Sequence, residues 1–439
     1  MQRADIHLAV VGTGPLGLEA AAWAKHRGYH LTVFEKQAGV GGDWLSWGNP
    51  WSKLQSHRDG YLFSGPVAVP GEDTLPAYPS REQMLDYFGT YASVTGISSH
   101  IRFNCMVTGR SAVQENGKLK VFFREQGGED ESLEVTHVFA APGRVNKRRQ
   151  VHFAGEPSFR GVVAWGNGQD LQGCPFAGKS VVVAGHGSFA IENARHALEC
   201  GAASVVMLAR HDQVVMSRAA GFFVDRHVDR HVPATAVLHA LRSVYSLIGY
   251  GEQELEQLFF SPSKVMFPTS DFYFLARTAG KLKVVLGTVA RLTETSVVTS
   301  SGLSLPADIF VKCLGFTQDA EFDAAMRPDL KKGGRVADFH YSNTTSRMSR
   351  TSVFAASSGG FRHVSPCYGL ICRAEGLPAR DLAASSDLLR ERVLGWQGVW
   401  SSTVRRATSH SERTLSPSRR ASGPAMPSCW VLISSIHTA

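Results

Sequence analysis

The stretch of sequence that decides the fold is IHLAVVGTGPLG, residues 6–17. Its first half, residues 6–11, is a continuous apolar run that predicts a buried strand. Its second half is a G-x-G-x-x-G turn. The residues that follow predict a helix over 16–26 and a second strand over 30–35. Strand, turn, helix and strand in this order form a βαβ unit, and such units build parallel sheets.

The glycine-rich turn has the spacing that a bound dinucleotide requires. Gly12 allows the tight turn, Gly14 lets the backbone approach a pyrophosphate, and Gly17 lets the helix pack close to the strand. Pro15 belongs to the same predicted site, because the helix N-terminus there faces the phosphates. Glu35 follows Gly17 by 18 residues, and its carboxylate can accept hydrogen bonds from an adenosine ribose. The alternative is a glycine-rich turn in an ordinary α/β protein.

The same pattern occurs a second time. A strand over 180–184 leads into a G-x-G-x-x-A turn over 185–190, and a predicted helix over 191–200 and strand over 204–209 follow. The residues assigned to this second cofactor site are Gly185, Gly187, Ser188 and Ala190. Two such turns predict one site for FAD and one for a nicotinamide dinucleotide that reduces the flavin.

Residues outside the two units predict further elements. A helix opens at residues 79–82, with Ser80 as its N-cap. Residues 234–260 predict an amphipathic helix, residues 305–314 an apolar strand and residues 353–356 a last short strand. Asp271 is interpreted as a helix N-cap, with a polar group near the nicotinamide as the alternative.

The end of the second strand differs between the two units. Glu35 is acidic, whereas the strand over 204–209 is followed by Arg210. An arginine in this position suits a 2′-phosphate, so we expect the second site to prefer NADPH to NADH, with help from His211 or Arg218. The alternative for Arg210 is a solvent-exposed loop residue.

Length, cysteine spacing and apolar runs limit the kinds of protein that this chain can be. The chain has 439 residues, of which 43% are hydrophobic, and this length predicts roughly two to three domains. Its seven cysteines are scattered and include no C-x-x-C pair, so we predict no metal site, no dithiol redox centre and a cytoplasmic location. No leader-like segment opens the chain and no apolar run approaches about 18 residues, so we expect neither a signal peptide nor an integral membrane segment.

The net charge of +8 is concentrated at the C-terminal end. From residue 340 onward there are twelve Arg, no Lys and five acidic residues, which leaves +7. A nucleic-acid role would rest on arginine content alone, so we expect no nucleic-acid partner. The region over 377–439 is rich in Ser, Arg and Ala and is predicted to be a poorly ordered tail, with an error in the gene model as the alternative.

Several short elements resemble those of flavin-containing and Baeyer–Villiger monooxygenases. Gly41-Gly42-Asp43-Trp44 is similar to the GGxW element of this superfamily. Residues 140–143 resemble the turn where the chain leaves the FAD domain, and residues 313–316 resemble the turn where it returns. The resemblance covers about residues 5–365. The further cofactor contacts that it implies are Gly42, Trp44, Gly143 and Gly315.

The sequence departs from this pattern at three places and so resembles a divergent member. The family fingerprint F-x-G-x-x-x-H ends here in Trp165, and the L-x-T-N segment aligns with Leu54-Gln55-Ser56-His57. The element that usually ends in Gly-Asp has no Asp after residues 353–356. His57 and Arg58 are the predicted catalytic residues, as polar groups beside the flavin that hydrogen-bond an oxygen. The alternative for both is an ordinary loop residue.

The predicted fold class is α/β, with two Rossmann-like dinucleotide-binding domains and the NADPH domain inserted in a discontinuous FAD domain. The first part of the FAD domain is expected over 1–170, the NADPH domain over 171–310, and the second part of the FAD domain over 311–376. The active site is expected in the cleft between the two domains, where such sites commonly form.

The resemblance implies an FAD-dependent monooxygenase that consumes NADPH. It would insert one oxygen atom of O2 into a small organic substrate, at nitrogen, sulfur or a ketone, through a flavin C4a-(hydro)peroxide. Two alternatives stay open. An NAD(P)H-dependent flavin oxidase or reductase would release H2O2, and a non-catalytic FAD-binding protein would hold a flavin that NADPH does not reduce. The sequence defines neither the substrate nor the oligomeric state.

Overall fold

The computed structural model describes residues 5–63, 66–143, 147–227, 234–260, 268–317, 319–326 and 339–341. Its strands are β1 (His7–Val11), β2 (His30–Phe34), β3 (Ile101–Arg102), β4 (Cys105–Arg110), β5 (Leu119–Glu125), β6 (Asp130–Val135), β7 (His137–Ala140), β8 (Lys147–Arg148), β9 (Val162–Trp165), β10 (Ser180–Ala184), β11 (Ser204–Ala209), β12 (Leu282–Leu286), β13 (Val289–Leu292), β14 (Ser296–Thr299), β15 (Ser304–Pro306), β16 (Ile309–Lys312), β17 (Phe316–Thr317) and β18 (Phe339–Tyr341). Its α-helices are α1 (Pro15–His26), α2 (Asp43–Ser46), α3 (Arg81–Val94), α4 (Ser188–Glu199), α5 (Arg218–His227), α6 (Ala234–Leu247), α7 (Glu252–Phe260), α8 (Asp271–Thr278) and α9 (Ala320–Ala325).

The first parallel sheet has the strand order β18-β7-β1-β2-β3. Every neighbouring pair in it is parallel. Helix α1 connects β1 to β2, and its alanine-rich sequence lets it bury a broad face against the sheet. Helix α3 packs beside α1 and begins with a capping box formed by Ser80 and Gln83, which confirms Ser80 as the predicted N-cap.

The second parallel sheet has the order β12-β11-β10-β16-β9. All of its neighbouring strands are parallel as well. Helix α4 connects β10 to β11 in the same way that α1 connects β1 to β2. Two antiparallel three-stranded sheets, β4-β5-β6 and β13-β14-β15, lie outside the two parallel sheets.

The chain passes between the two parallel sheets twice, and the two passages lie side by side. Strand β8 leads away from the first sheet and β17 leads back, and the two pair antiparallel, with Phe316 opposite Arg148. After the return, α9 and β18 follow, and β18 pairs with β7 of the first sheet. The second sheet is therefore nested within the first, which confirms the predicted fold class.

The domain bounds themselves stay predictions. Strand β9, which ends before residue 170, and strand β16, which crosses residue 310, both belong to the second sheet. The predicted strand over 353–356 and the predicted tail over 377–439 lie outside the described residues.

Three element predictions were wrong in detail. The helix predicted over 191–200 begins at Ser188, directly after the extended Gly187. The helix predicted over 234–260 is two helices, α6 and α7, because the chain turns at Gly249 with φ of +96°. The apolar run over 305–314 forms two short strands in different sheets, β15 and β16.

Candidate active site

The first glycine-rich turn joins β1 to α1 at the carboxyl end of the first sheet. Gly12 has φ of +96°, and a Cβ there would lie 2.5 Å from the carbonyl oxygen of Ala141. A Cβ on Gly17 would lie 1.9 Å from the carbonyl oxygen of Gly12. These two positions require glycine for the fold itself. A Cβ on Gly14 would make only ordinary contacts, the nearest at 3.7 Å, so the absence of a side chain there leaves room for a ligand.

The start of α1 is suited to an anionic group. Its N-cap residue, Gly14, provides no side-chain hydrogen bond, and its first turn has Pro15 but no acidic residue. The first backbone N–H groups of a helix have no partner within the helix, and the helix dipole adds a partial positive charge there. A dinucleotide pyrophosphate satisfies both features.

Glu35 follows β2 and is held against the turn. Its Oε2 accepts hydrogen bonds from the backbone N–H of Thr13 at 2.8 Å and from the Thr13 hydroxyl at 2.6 Å. Its Oε1 accepts one from the backbone N–H of Gln37 at 2.8 Å. A carboxylate has about four acceptor positions, so one remains for a ribose hydroxyl. The structure thus places Glu35 beside Gly12 and Gly14, as predicted for a shared site.

The Gly41–Trp44 segment closes over this turn. The backbone N–H of Gly41 donates to the carbonyl oxygen of Thr13 at 3.0 Å. A Cβ on Gly42 would lie 2.8 Å from the Cα of Gly14, so the two glycines touch. Gly42 therefore lies at the predicted cofactor site.

Trp44 is fixed from two sides. Its ring meets the ring of Tyr61 edge to face, with centroids 6.1 Å apart, and its carbonyl oxygen accepts a hydrogen bond from Arg81 Nε at 2.9 Å. Gly143 has φ of +79° and lies in the turn after β7. The strand β7 neighbours β1, so Gly143 lies at the same edge of the sheet as Gly12.

The second glycine-rich turn repeats the first. Gly185 has φ of +130°, and a Cβ there would lie 2.4 Å from the carbonyl oxygen of Cys313. Gly187 is the N-cap of α4 without a side-chain hydrogen bond, and a Cβ on it would meet nothing within 4 Å. Ser188 begins the helix, and Ala190, which takes the place of the third glycine, is fully buried. This turn can accept a second pyrophosphate.

Gly315 lies where the chain returns from the second sheet to the first. Its φ is +81°, and its carbonyl oxygen accepts a hydrogen bond from the backbone N–H of Arg149 at 3.1 Å. The structure therefore places Gly315 in the passage formed by β8 and β17, two residues after Cys313.

The end of β11 combines one exposed arginine with one engaged acid. Arg210 is exposed, so its guanidinium is accessible to a nucleotide. Asp212 accepts hydrogen bonds from Tyr250 at 2.5 Å and from the backbone N–H of Gln213 at 2.8 Å, and lies 3.0 Å from His186 Nδ1. Burial opposes ionisation of Asp212, but these partners hold its pKa below the usual value. The acid is thus turned inward and Arg210 outward.

One contact between the two nested units joins the loop over 49–57 to helix α4. The Oε1 atom of Glu192, on α4, accepts hydrogen bonds from Asn49 Nδ2 at 2.8 Å and from Ser52 Oγ at 2.6 Å. Glu192 is 8% exposed, and its burial raises its pKa. The rings of Trp51 and His196 stack 3.8 Å apart. The loop over 49–57 is therefore fixed on the helix that begins at the second turn.

Gln55 extends this contact to the second turn itself. Its Nε2 donates to the carbonyl oxygen of Ser188 at 3.2 Å, and its Oε1 accepts from the backbone N–H of Thr269 at 3.2 Å. Nearby, the guanidinium of Arg218 lies over the ring of Tyr78, 4.4 Å from its centroid. Arg218 is therefore engaged with Tyr78 of the first unit, and the help that Arg218 or His211 would give Arg210 stays a prediction.

The two predicted catalytic residues have different surroundings. The Nδ1 atom of His57 accepts a hydrogen bond from the backbone N–H of Asp59 at 3.3 Å, and its ring meets that of Phe222 at 5.1 Å. Arg58 donates to the carbonyl oxygens of Asp73, at 2.7 Å, and of Leu75. These contacts give Arg58 a role in fixing its own loop.

Asp271 is not the N-cap of α8, which was the first interpretation of its sequence position. Ser270 is the N-cap and accepts a hydrogen bond from the backbone N–H of Tyr273. Asp271 Oδ1 instead accepts one from the backbone N–H of Arg218 at 2.7 Å. Two adjacent capping residues, Ser and Asp, made the sequence ambiguous by one position.

Trp165, which stands where the fingerprint has histidine, is covered by two cations. Lys312 Nζ lies 4.1 Å from its ring centroid, and the guanidinium of Arg148 lies 5.4 Å from it. Arg148 lies 5.4 Å from the ring of Trp47 as well. Lys312 is 2% exposed and pairs with Glu156 at 3.1 Å. This aromatic and cationic cluster lies where the chain passes between the two sheets.

Several of these groups were missed by sequence reasoning. Asn49, Glu192 and Asp212 had no assigned role, and Asp43 was quoted only as part of a motif. A signal was present for Glu192, because it is an acid among the mostly apolar buried residues of α4. Asp212 could have been noticed as an acid two residues after Arg210. No pattern along the chain pairs Asn49 with Glu192, because 143 residues separate them.

In the part of the chain that the structure describes, none of the helices has the length and apolar character needed to cross a bilayer. The same residues contain no group of three or more His, Cys, Asp or Glu side chains arranged to hold a metal ion.

Comparison with known proteins agrees with this geometry. The family model described as pyridine nucleotide-disulphide oxidoreductase matches residues 6–235, more than half of the chain. The FAD-containing monooxygenase EthA of Mycobacterium tuberculosis is 24% identical over 350 residues, which cover 71% of this chain and 69% of that protein. Indole-3-pyruvate monooxygenase YUCCA1 of Oryza sativa subsp. japonica is 31% identical over 183 residues, which cover 42% of this chain and 43% of that protein.

Solved structures share the fold. An oxidised steroid monooxygenase bound to NADP matches with a TM-score of 0.56 and 18% identity, over 73% of each chain. Cyclohexanone monooxygenase from Rhodococcus sp. Phi1 bound to NADP+ matches with a TM-score of 0.54 and 17% identity, over 72% of this chain and 71% of that one.

The predicted resemblance and the predicted class of enzyme, an oxidoreductase, are confirmed by these matches, and the low identities agree with a divergent branch. With its two nested dinucleotide-binding folds, the chain belongs to the pyridine nucleotide-disulphide oxidoreductase family, and its relatives include flavin-containing monooxygenases.

Proposed function

We propose that the chain binds FAD at the first glycine-rich turn and NADPH at the second, and that it is an NADPH-consuming monooxygenase. Its partners would be O2 and a small organic substrate that accepts oxygen at nitrogen, sulfur or a ketone carbon. The observation that carries the proposal is Gln55, a residue of the first unit, bound to Ser188 at the second turn. This contact brings a loop of the flavin-binding unit to the mouth of the nicotinamide site.

The residues of the first turn fit FAD. Gly14 and the start of α1 would hold the diphosphate, and Glu35 would accept a ribose hydroxyl. When bound, FAD would accept hydride from the nicotinamide and pass electrons to O2. The chain would bind the two cofactors, orient them across the cleft and keep water out, with Trp44 and Tyr61 as aromatic cover.

The residues of the second turn fit NADPH. Gly187 and the start of α4 would hold its diphosphate, and Arg210 would pair with the 2′-phosphate. Asp212, an acid that would repel this phosphate, is bound by Tyr250 and lies beside His186. The arrangement favours NADPH over NADH for this reason.

His57 is the best candidate for a polar group that acts on the substrate side. Its Nδ1 lies 3.3 Å from the backbone nitrogen of Asp59 and 3.4 Å from the Asp59 carboxylate, so Asp59 orients the ring. In this orientation the imidazole would act on a substrate oxygen at the cleft. The contacts of Arg58 with backbone carbonyls favour a supporting role in the same loop.

A second candidate is an oxidase that releases H2O2. The observation that favours it is Trp165, whose ring lies under Lys312 and so offers no imidazole at the fingerprint position. An oxidase would share the cofactors, the fold and the hydride transfer, and would differ only in the fate of oxygen.

The test uses the full-length protein loaded with FAD. NADPH is added without oxygen and flavin absorbance is followed, and then O2 is admitted in the presence of an amine, a sulfide or a ketone. A monooxygenase consumes one NADPH per oxygenated product and releases little H2O2. Equal amounts of NADPH consumed and H2O2 released with every substrate class would support the oxidase. A flavin that NADPH does not reduce would contradict both.

A further inference from the structure

The carboxyl group of Asp43 lies in the crevice where the two turns of the first sheet meet. Asp43 opens α2 directly after Gly42, which touches Gly14 of the first turn. Its Oδ1 atom lies 3.4 Å from the position of a Cβ on Gly143, in the turn after β7. Strands β1 and β7 are adjacent and parallel. Ligands of open α/β sheets bind outside the carboxyl ends of such strands, so Asp43 faces the place where the dinucleotide would lie.

The surroundings of Asp43 do not fix it in the ionised form. Burial raises its pKa to about 7, even though Lys36 lowers it. Arg81 is engaged by the carbonyl oxygens of Trp44 and Leu45, at 2.9 Å and 3.2 Å. Tyr61, the other titratable neighbour, has its own pKa raised to about 12 by burial and by Asp43, so it stays neutral. Asp43 therefore exchanges its proton near neutral pH.

A bound diphosphate would favour the protonated form of the Asp43 carboxyl. An ionised carboxylate beside an anionic diphosphate in a poorly solvated crevice is disfavoured by like-charge repulsion. A protonated carboxyl avoids this repulsion and can donate a hydrogen bond to an acceptor oxygen. Glu35 does not face the same conflict, because Thr13 and Gln37 satisfy it with three hydrogen bonds.

We propose that Asp43 is a cofactor-binding residue that holds FAD in its protonated form, so that FAD binding takes up one proton from solvent. The inference rests on the proposed binding of FAD at the first turn. It assigns a chemical role to the third position of the GGDW segment and makes FAD affinity depend on pH. Affinity is full when the carboxyl is already neutral and falls as pH rises through the pKa of Asp43 in the free protein.

The experiment measures FAD binding to the full-length protein freed of flavin, by titration calorimetry from about pH 6 to about pH 8.5, in buffers with different ionisation enthalpies. For the wild-type protein we expect affinity to fall towards tenfold per pH unit above about pH 7, with uptake of close to one proton. FAD itself does not titrate in this range. Asp43→Asn keeps the shape and a donor but cannot titrate, so it should show neither the slope nor the proton uptake.

Asp86→Asn is the matched control, because Asp86 is an exposed acid on α3 of the same unit, and it should behave as the wild-type protein. Asp43→Ser provides a second non-titrating variant if Asp43→Asn does not fold. A pH slope and proton uptake that persist in these Asp43 variants overturn the proposal, as does a wild-type protein that binds FAD equally at every pH. A wild-type protein that binds no FAD at any pH overturns the proposed function as well, so the two failures are distinguishable.

Discussion

The turn after β1 and the turn after β10 have the same backbone but are held by different side chains. In each, the first glycine donates its N–H to the neighbouring strand and would clash with a carbonyl oxygen if it carried a Cβ. In the first turn, the middle residue Thr13 binds the acid Glu35 directly. In the second, the middle residue His186 lies against Asp212, an acid that Tyr250 also binds.

The comparison separates the features that the fold requires from those that are left to differ between the two turns. Both turns keep glycine where the backbone or a close approach demands it. The residues after the second strand of each unit diverge: Glu35 is bound by the first turn itself, whereas Asp212 is bound by Tyr250 and leaves Arg210 exposed.

The largest effect is expected from Gly17→Ala. Its Cβ would meet the backbone oxygen of Gly12 at 1.9 Å, which no side-chain adjustment relieves, so we expect a loss of about 3 kcal/mol of stability. The matched change at the second turn, Ala190→Gly, should cost only about 1 kcal/mol, from helix propensity. Thermal unfolding and soluble yield measure both. A Gly17→Ala protein with the wild-type melting temperature would contradict the space argument.

Glu192→Ala should have the next largest effect. It removes the acceptor of the buried Ser52 hydroxyl and one of the two acceptors of the buried Asn49 amide, at a cost of about 2 to 3 kcal/mol. Because these bonds fix one unit against the other, the variant should also reduce its flavin more slowly with NADPH. Stopped-flow reduction and thermal unfolding measure the two effects.

Glu199→Ala is the control for this experiment, since Glu199 is an exposed residue of the same helix in a weak ion pair with Arg195. It should change stability by less than about 0.5 kcal/mol. Equal behaviour of the Glu192 and Glu199 variants would show that Glu192 does not hold the units together.

The second glycine of each turn, Gly14 or Gly187, is a position at which the fold itself does not require glycine. Gly14→Ala and Gly187→Ala place a methyl group in ordinary contact or in open space, so stability should change by less than about 1 kcal/mol. Each should weaken its own cofactor by about tenfold, which is about 1.4 kcal/mol. FAD and NADPH titrations measure this. A Gly187→Ala protein with weaker FAD binding and unchanged NADPH binding would reverse the assignment of the two sites.

The smallest effect is expected from Arg210→Gln. An exposed guanidinium paired with a phosphate should contribute about 1 kcal/mol, so the Michaelis constant for NADPH should rise roughly fivefold while that for NADH stays the same. Lys283→Gln, a change of an exposed cation on the neighbouring strand β12, is the control and should leave both Michaelis constants unchanged. Equal changes for both nucleotides would mean that Arg210 does not recognise the 2′-phosphate.

The sequence predicted a residue's role best where that role depends on neighbours a few positions away in the chain. The glycines at 12, 17 and 185 can be predicted because turn geometry and close packing act over a few residues. Ser80 could be predicted as an N-cap for the same reason. The pairing of Glu192 with Asn49 could not be predicted, because the two residues are far apart in sequence. Their contact depends on how the two units pack against each other. Arg58 was predicted, with His57, as a polar group beside the flavin, yet its contacts are with Asp73 and Leu75, across a loop whose path the sequence does not define.

The antiparallel pairing of β8 with β17 has a consequence for how such a protein can arise. Since Arg148 lies opposite Phe316, the two ends of the nested unit are neighbours, and the host sheet continues from β7 to β18 as if nothing intervened. A segment with adjacent ends can enter or leave a gene in a single event without displacing the host. The nested unit therefore has the geometry of an inserted segment, and its removal would leave the two ends of the host chain close together.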